Sequence, residues 1–295
     1  MRAEFGVCVP NFGKNLSPKA VSIVASEAEE LGYESVWVTD HLLLPPTQRY
    51  PYGSILEALT TMAHVASVTE EVRVGSSVLV LPMREPVSVA KALAAIDVLS
   101  GGRVIAGFGA GWCEEEFQNI GMNFRDRGRR FDEALQLIKQ LWQGGEVSFS
   151  GRYYRVAAGI FEPTPAQKGG PPIWIGGNSE HAFKRALKHG QAWHFTGITL
   201  DKLSERVSNL KQLDGFTISG RFTVDLTGKT PQVVKVRAGE NRVILSGSLN
   251  QITDTIDQYL RKKVTHFVLY FGDKPVEEYV KDIETFSKEV MPGYL

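Results

Sequence analysis

Short β-branched runs alternate with segments of helical period along the whole chain, eight times over, and no other feature restricts the fold as much. Strands are expected at Phe5–Val9, Ser35–Thr39, Val72–Leu81, Arg103–Phe108, Pro172–Ile175, Ala192–Phe195, Phe216–Leu226 and Thr265–Tyr270. A helical segment follows each one. In the first, Ser17-Pro18 supplies an N-cap and a first-turn proline, Val21, Val24, Ala28 and Leu31 share a face, and Gly32 ends the run. The others are Ser54–Val68, Pro86–Leu99, the face of Phe131, Leu135, Ile138 and Trp142, Glu180–Lys188, Asp201–Leu213, Leu249–Arg261, and the face of Val276, Tyr279, Ile283 and Phe286. Eight βα units in 295 residues predict an α/β fold, the (β/α)8 TIM barrel, as one domain over residues 1–295. A doubly wound open sheet is the rival. Glu146–Pro165 reads as a hairpin-like insertion after the fourth helix, turning at Ser150-Gly151. Thr227–Ser248 reads as irregular, with an extra strand at Gln232–Val236.

Charge removes whole classes of function. Lys and Arg number 33 and Asp and Glu 33, so the net charge is zero and carries no footprint for nucleic acid or an anionic membrane. Cys8 and Cys113 have neither metal-ligand spacing nor a partner pattern for a disulfide framework, so no metal site is expected. The N-terminus reads directly into a strand without a signal-type apolar core, and no apolar run has the length of a membrane span; both predict a cytoplasmic protein.

Barrel chemistry sits at the C-terminal ends of the strands. Four places there hold suitable residues. Asp40-His41 follows the second strand, pairing a carboxylate with an imidazole able to move protons; a helix cap beside a surface histidine is the plainer reading. Ser76-Ser77-Val78 breaks the third strand with small hydroxyls, as either a bulge or a simple polar interruption. Gly107–Trp112, then Cys113 and Glu114–Glu116, runs a strand into a glycine-rich loop and an acidic helix start. Its match to the dinucleotide fingerprint is partial, so a Rossmann site is rejected. Gly176-Gly177-Asn178-Ser179 precedes a helix, where backbone amides suit a phosphate; an ordinary N-cap is the alternative. The chain has no GxxxxGK[ST], GxSxG, HExxH or CxxC. A phosphate loop, a glycine-lined face and a strand-end histidine together suit a bulky phosphorylated cofactor.

These segments resemble the luciferase-like monooxygenase superfamily of flavin- and deazaflavin-dependent oxidoreductases. The likeness is carried by Leu31–Leu43, Val72–Pro86, Leu99–Phe117, Arg129–Trp142, Pro163–Ser179 and Gly247–Phe271. WVTDHLLLP is most similar to the branch that uses coenzyme F420. The resemblance implies hydride transfer between F420 and a small-molecule organic substrate, with an FMN-dependent monooxygenase using O2, or a non-catalytic binding barrel, as alternatives. It implies that Asp40 and His41 border the cofactor ring, that Ser77-Val78 is a cis peptide behind it, and that Ala110, Gly111, Trp112 and Glu115 line its other edge. Gly176, Gly177, Asn178 and Ser179 would hold the phosphate, with Gly197 closing that site. His41, Glu115 and Trp112 are the implied catalytic residues. Trp112 stands where sugar-phosphate dehydrogenases of this branch carry a catalytic glutamate, and Gln191-Ala192-Trp193 replaces an acidic-glycine-tryptophan run. A homodimer packed through Ser54–Val68 and Pro86–Leu99 is also implied.

Overall fold

The computed structural model describes residues 2–208, 210, 215–236 and 240–294. Eight parallel strands pair in chain order: β1 (Glu4–Cys8), β2 (Ser35–Val38), β3 (Arg73–Ser76), β4 (Val104–Gly109), β5 (Ile173–Gly176), β6 (Ala192–Thr196), β7 (Thr217–Asp225) and β8 (His266–Tyr270). β8 then pairs with β1, Glu4 opposite His266, and closes the barrel. Helices follow the strands in turn: α1 (Pro18–Glu30), α2 (Ala58–Val68), α3 (Pro86–Leu99), α4 (Arg127–Leu141), α5 (Glu180–His189), α6 (Leu200–Val207), α7 (Leu249–Leu260) and α8 (Val276–Glu289). The (β/α)8 expectation holds, and the open sheet is excluded by the β8–β1 pairing. Ser17 caps α1 as expected, accepting from the Ala20 N–H at 3.1 Å. Gly145–Ser150 and Arg155–Phe161 form the antiparallel hairpin after α4. Among the described residues, no helix is long and apolar enough to cross a membrane.

Four boundaries differ from the sequence reading. The run Val72–Leu81 is not one strand: β3 stops at Ser76, the Ser77–Val78 peptide is cis, and pairing with β4 resumes at Leu79–Val80. The helix expected from Ser54 starts at Ala58, because the Glu57 carboxylate accepts from the Thr60 N–H at 2.7 Å and caps it there. α6 ends at Val207, and residues 211–213 of the expected helix lie outside the described residues. Thr227–Ser248 is more ordered than expected. Glu240–Ser246 pairs in parallel with the end of β7 and antiparallel with Val233–Val236, burying Val243, Ile244 and Leu245; residues 237–239 lie outside the described residues.

Strand alternation places every second side chain inside the barrel. Those positions include Cys8, Trp37, Ile105, Trp174, Ala192 and Val268, which form one buried cluster separate from the main strand–helix core. The interior also takes polar side chains: Ser35, His194, Ser219 and His266 are all buried. Trp37 fills the centre. It stacks on His194 with ring centroids 5.3 Å apart and planes 10° from parallel. Side chains at Gly6 or Gly75 would collide with its ring.

β4 approaches β3 so closely that a Cβ at Gly107 would overlap the Ser76 carbonyl oxygen, a backbone atom that cannot step aside. Gly107→Ala is expected to destabilise the fold by about 3 kcal/mol or more, the upper end for an overpacked core position. Urea denaturation followed by circular dichroism measures it, and a loss below about 1 kcal/mol would contradict the close approach.

Candidate active site

The C-terminal ends of the strands surround a cavity of about 950 Å3. Its floor is the cis peptide. Every polar atom of Ser77 is engaged there: its N–H donates to the Val38 carbonyl (2.8 Å), its hydroxyl bonds His194 Nε2 (2.8 Å), and its carbonyl accepts from Arg221 Nη1 (2.9 Å). The Val78 side chain rises between β4 and β5. A Cβ at Gly109 or at Gly176 would strike it. Gly176 therefore clears space for Val78, a role that its place in a phosphate-type loop did not suggest.

Asp40 and His41 leave β2 at the cavity wall, as expected, but their side chains do different work. The Asp40 carboxylate is buried and used on both oxygens, by the Val80 N–H (2.8 Å) and by Arg84 Nη2 (2.6 Å). Arg84 also reaches Glu57 at 2.8 Å. Burial pushes the Asp40 carboxyl up, and the Arg84 guanidinium opposes this. Asp40 thus anchors the chain just past the cis peptide. His41 lines the cavity, with Tyr52 tilted against its ring (4.8 Å between centroids) and Trp112 edge-on (5.6 Å).

The acidic helix start corrects the sequence reading. Glu115 is exposed, lies outside the cavity lining and accepts from the Cys113 thiol. The buried member is Glu116, which bonds His41 Nδ1 at 2.9 Å and the Leu42 N–H at 2.7 Å. In a helix successive residues point about 100° apart, so only one of three glutamates on Glu114–Asn119 can face β2, and composition does not say which. The His41 and Leu42 hydrogen bonds hold the Glu116 carboxyl below its ordinary range, against a burial penalty. With Nδ1 occupied, His41 keeps Nε2 for the cavity.

Ala110, Gly111 and Trp112 line the cavity as expected. At its other end lie Gly177, Asn178 and Ser179. Gly177 adopts φ +128°, open only to glycine, with its N–H given to the His194 carbonyl and its own carbonyl accepting Trp193 Nε1 at 2.8 Å. Asn178 clamps the loop to β6 through the Thr196 N–H (2.8 Å) and carbonyl (2.9 Å), and its amide also reaches Glu240 at 2.9 Å. Ser179 is the N-cap of α5, accepting from the Ala182 N–H. The Asn178 amide and the Ser179 hydroxyl therefore brace the loop, while the first-turn N–H groups of Glu180 and His181 have no intrahelical acceptor. Gly197 does not line the cavity; its N–H and carbonyl bond Arg221 and Val243 of the adjoining strands. Gln191, where the resemblance implied an acidic residue, accepts from the Ile173 N–H through its Oε1 at 2.7 Å.

Sequence reasoning missed the arginines. Arg125, Arg127, Arg129, Arg185, Arg221 and Arg242 line the cavity against three carboxylates, Asp40, Asp132 and Glu240. The run RDRGRR at Arg125–Arg130 was a visible charge block. Arg221 gave no signal beyond an alternating position in β7. Arg185 is paired with Asp132, and Arg127 stacks on Phe124 at 3.6 Å.

Known proteins share this architecture. Residues 3–221 match the family described as Luciferase-like monooxygenase. An F420-dependent glucose-6-phosphate dehydrogenase of Kineococcus radiotolerans is 33% identical over 213 residues, covering 70% of this chain and 61% of that one. A monooxygenase of Streptomyces bottropensis superposes with a TM-score of 0.82 at 20% identity, covering 99% and 100% of the two chains. The F420-dependent tetrahydromethanopterin reductase of Methanopyrus kandleri gives 0.80 at 17% identity over 100% of both.

Glu116 contributes stability with a definite pH signature. Its folded pKa is depressed, so the contribution is present above the unfolded value near ~4.3 and is lost as pH falls through the folded one. Glu116→Gln is expected to cost about 1–3 kcal/mol at pH 7, the range for hydrogen bonds to a charged group. The gap from the wild-type protein narrows below pH ~4. Chemical denaturation at pH 7 and pH 3.5 measures both; an equal gap at the two values would remove the assignment.

Proposed function

The chain belongs to the luciferase-like monooxygenase family, and on that premise we propose that it is an oxidoreductase that binds coenzyme F420 and passes hydride between it and a small organic substrate. One observation carries the reading: a single cavity joins His41 and Ser77 to a glycine loop at the N-terminus of α5, with arginines along its wall. That arrangement fits a flat ring at one end and a phosphate at the other. Gly109 and Gly111 let that wall pack tightly, since a Cβ at Gly109 would strike Val78 and one at Gly111 would strike Phe117 and Val80. The 33% identical relative named as F420-dependent supports F420 over FMN.

When bound, the deazaflavin supplies a two-electron hydride donor or acceptor. The residues of the chain do the rest. The α5 N-terminus and the nearby Arg127, Arg129 and Arg185 offer remote binding energy to a phosphate, which positions the ring. Glu116 holds His41 with Nε2 turned toward the cavity, placing a group there that polarises or protonates a substrate oxygen. Trp112, Tyr52, Phe12 and Tyr270 give the remaining wall an aromatic surface. That surface favours an apolar carbinol or carbonyl compound over a sugar phosphate, consistent with Trp112 in place of a glutamate.

Titrating the purified protein with F420 and, separately, with FMN, following the fluorescence of each, tests the reading. F420 is expected to bind and FMN to bind far more weakly. A preference for FMN would move the protein to O2-dependent monooxygenation, and binding of neither would leave a non-catalytic barrel. In a protein that binds F420, His41→Ala is expected to lower turnover about 10²-fold or more, with coenzyme affinity nearly unchanged. An undiminished rate would remove His41 from the chemistry.

A further inference from the structure

We infer that a proton-conducting chain of side chains crosses the barrel interior, from the Ser77 hydroxyl at the cavity floor to the Glu34 carboxylate at the opposite end of the strands. This rests on the oxidoreductase reading, whose chemistry moves one proton with every hydride. The members are linked without a break. Ser77 Oγ lies 2.8 Å from His194 Nε2, and His194 Nδ1 lies 2.9 Å from Ser219 Oγ. Ser219 Oγ lies 3.4 Å from His266 Nδ1, and His266 Nε2 lies 3.3 Å from Glu34 Oε2 and 3.0 Å from Ser35 Oγ. His194, Ser219 and His266 are each no more than 2% exposed. The Glu34 side chain is 29% exposed, beside Arg73 at 3.5 Å and close to Glu4.

Direction follows from counting donors. The Glu34 carboxyl is held below its ordinary range by His266 and Arg73, so it accepts, and His266 Nε2 must donate. In a singly protonated His266 ring Nδ1 is then bare and takes the Ser219 hydroxyl proton. Ser219 Oγ accepts from His194 Nδ1–H, which leaves His194 Nε2 to accept from Ser77. All four bonds point the same way, from cavity to solvent. Burial pushes His194 down to about 3, so its imidazole stays neutral and able to give and take a proton at once. A polar cluster that only satisfied itself would close within the interior. This one opens onto the cavity at one end and onto water at the other.

Oxidation of a carbinol states the balance. With the coenzyme bound, the C–H bonding pair would leave the carbon as hydride for the acceptor ring, the O–H bond would break with its electron pair forming C=O, and the hydroxyl proton would be released into the cavity. Ser77 Oγ takes a proton as its own passes to His194 Nε2. His194 Nδ1 gives one to Ser219, Ser219 gives one to His266 Nδ1, and His266 Nε2 gives one to Glu34 and so to water. One proton enters and one leaves. The two imidazoles exchange tautomers and are reset by the opposite transfer, which serves carbonyl reduction.

Two measurements test the chain. In protein labelled with 15N at histidine and free of coenzyme, long-range 1H–15N spectra are expected to show His194 protonated on Nδ1 and His266 on Nε2. Both rings protonated on Nδ1 would set two donors against one hydroxyl and overturn the proposal. In the complex with borohydride-reduced F420, a pH jump followed by the absorbance of the reduced ring reads proton arrival in the cavity. Ser219→Ala is expected to slow that relaxation about tenfold or more with coenzyme affinity retained, and Ser219→Thr to restore it. Equal rates for wild type and Ser219→Ala would route the proton through the cavity mouth and overturn the proposal. Failure of the wild-type protein to bind F420 would instead defeat the cofactor reading, and the tautomers alone would then decide the chain.

Discussion

Trp37 is the side chain around which the barrel closes. Barrel interiors are ordinarily filled by layers of branched aliphatic residues, and a bicyclic ring in that place has consequences for its neighbours. Gly6 and Gly75 give up their side chains to admit it. Trp174 tilts against it at 5.0 Å, His266 meets it edge-on at 5.7 Å, and His194 lies flat on it. Its indole N–H needs a partner away from water, which Ser35 provides at 2.9 Å. Once His194 is pinned against the ring, its Nε2 meets Ser77, and the floor of the cavity is set. The shape of the site is thus fixed from below, by packing inside the barrel, before any strand-end residue contributes.

Two kinds of electrostatics then share the cavity. Near the floor, buried polar groups are held by named partners: Asp40 by Arg84, which also reaches Glu57, and Glu116 by His41. Leaving either partner alone in that setting would cost more than the pair gains, so these groups hold geometry. Toward the glycine loop the arginines outnumber the carboxylates and reach water, where each contact is individually weak but the summed field favours an anion. On the proposed function, chemistry and recognition would be separated along one cleft by this difference in solvation.

The strands were legible because alternation and β-branching leave a strong local signal, and the helices because their caps and periods do. What stayed hidden depends on single turns of the backbone. In Val72–Leu81 the small hydroxyls of Ser76 and Ser77 mark where the strand breaks, and the resemblance implied the cis peptide found there, but alternation alone did not separate a bulge from a polar interruption. Three consecutive glutamates carry no mark for the one that turns inward: Glu115 was expected at the cofactor edge but lies outside the cavity, and the buried Glu116 that holds His41 was not foreseen. Gly176 is needed for the bulk of Val78, a residue nearly a hundred positions earlier, and Arg221 faces the cavity only because the barrel closes. Each of these is decided by a partner distant in sequence. Among the expected residues that line the cavity, His41, Ala110, Gly111 and Trp112 all sit just after a strand, where the fold class alone places them.

The Asn178 amide ties the glycine loop both to β6 and to Glu240, the first residue of the strand that extends the sheet beyond β7. The glycine-loop end of the cleft is therefore not a portable cassette. Transplanting Gly176–Ser179 into another barrel, or recombining two relatives at a junction between β6 and α7, would carry the loop without the carboxylate that orients its asparagine. Shuffled descendants of this chain that keep their ligand would be those whose crossover leaves the stretch from β5 to Ser246 inherited as one block.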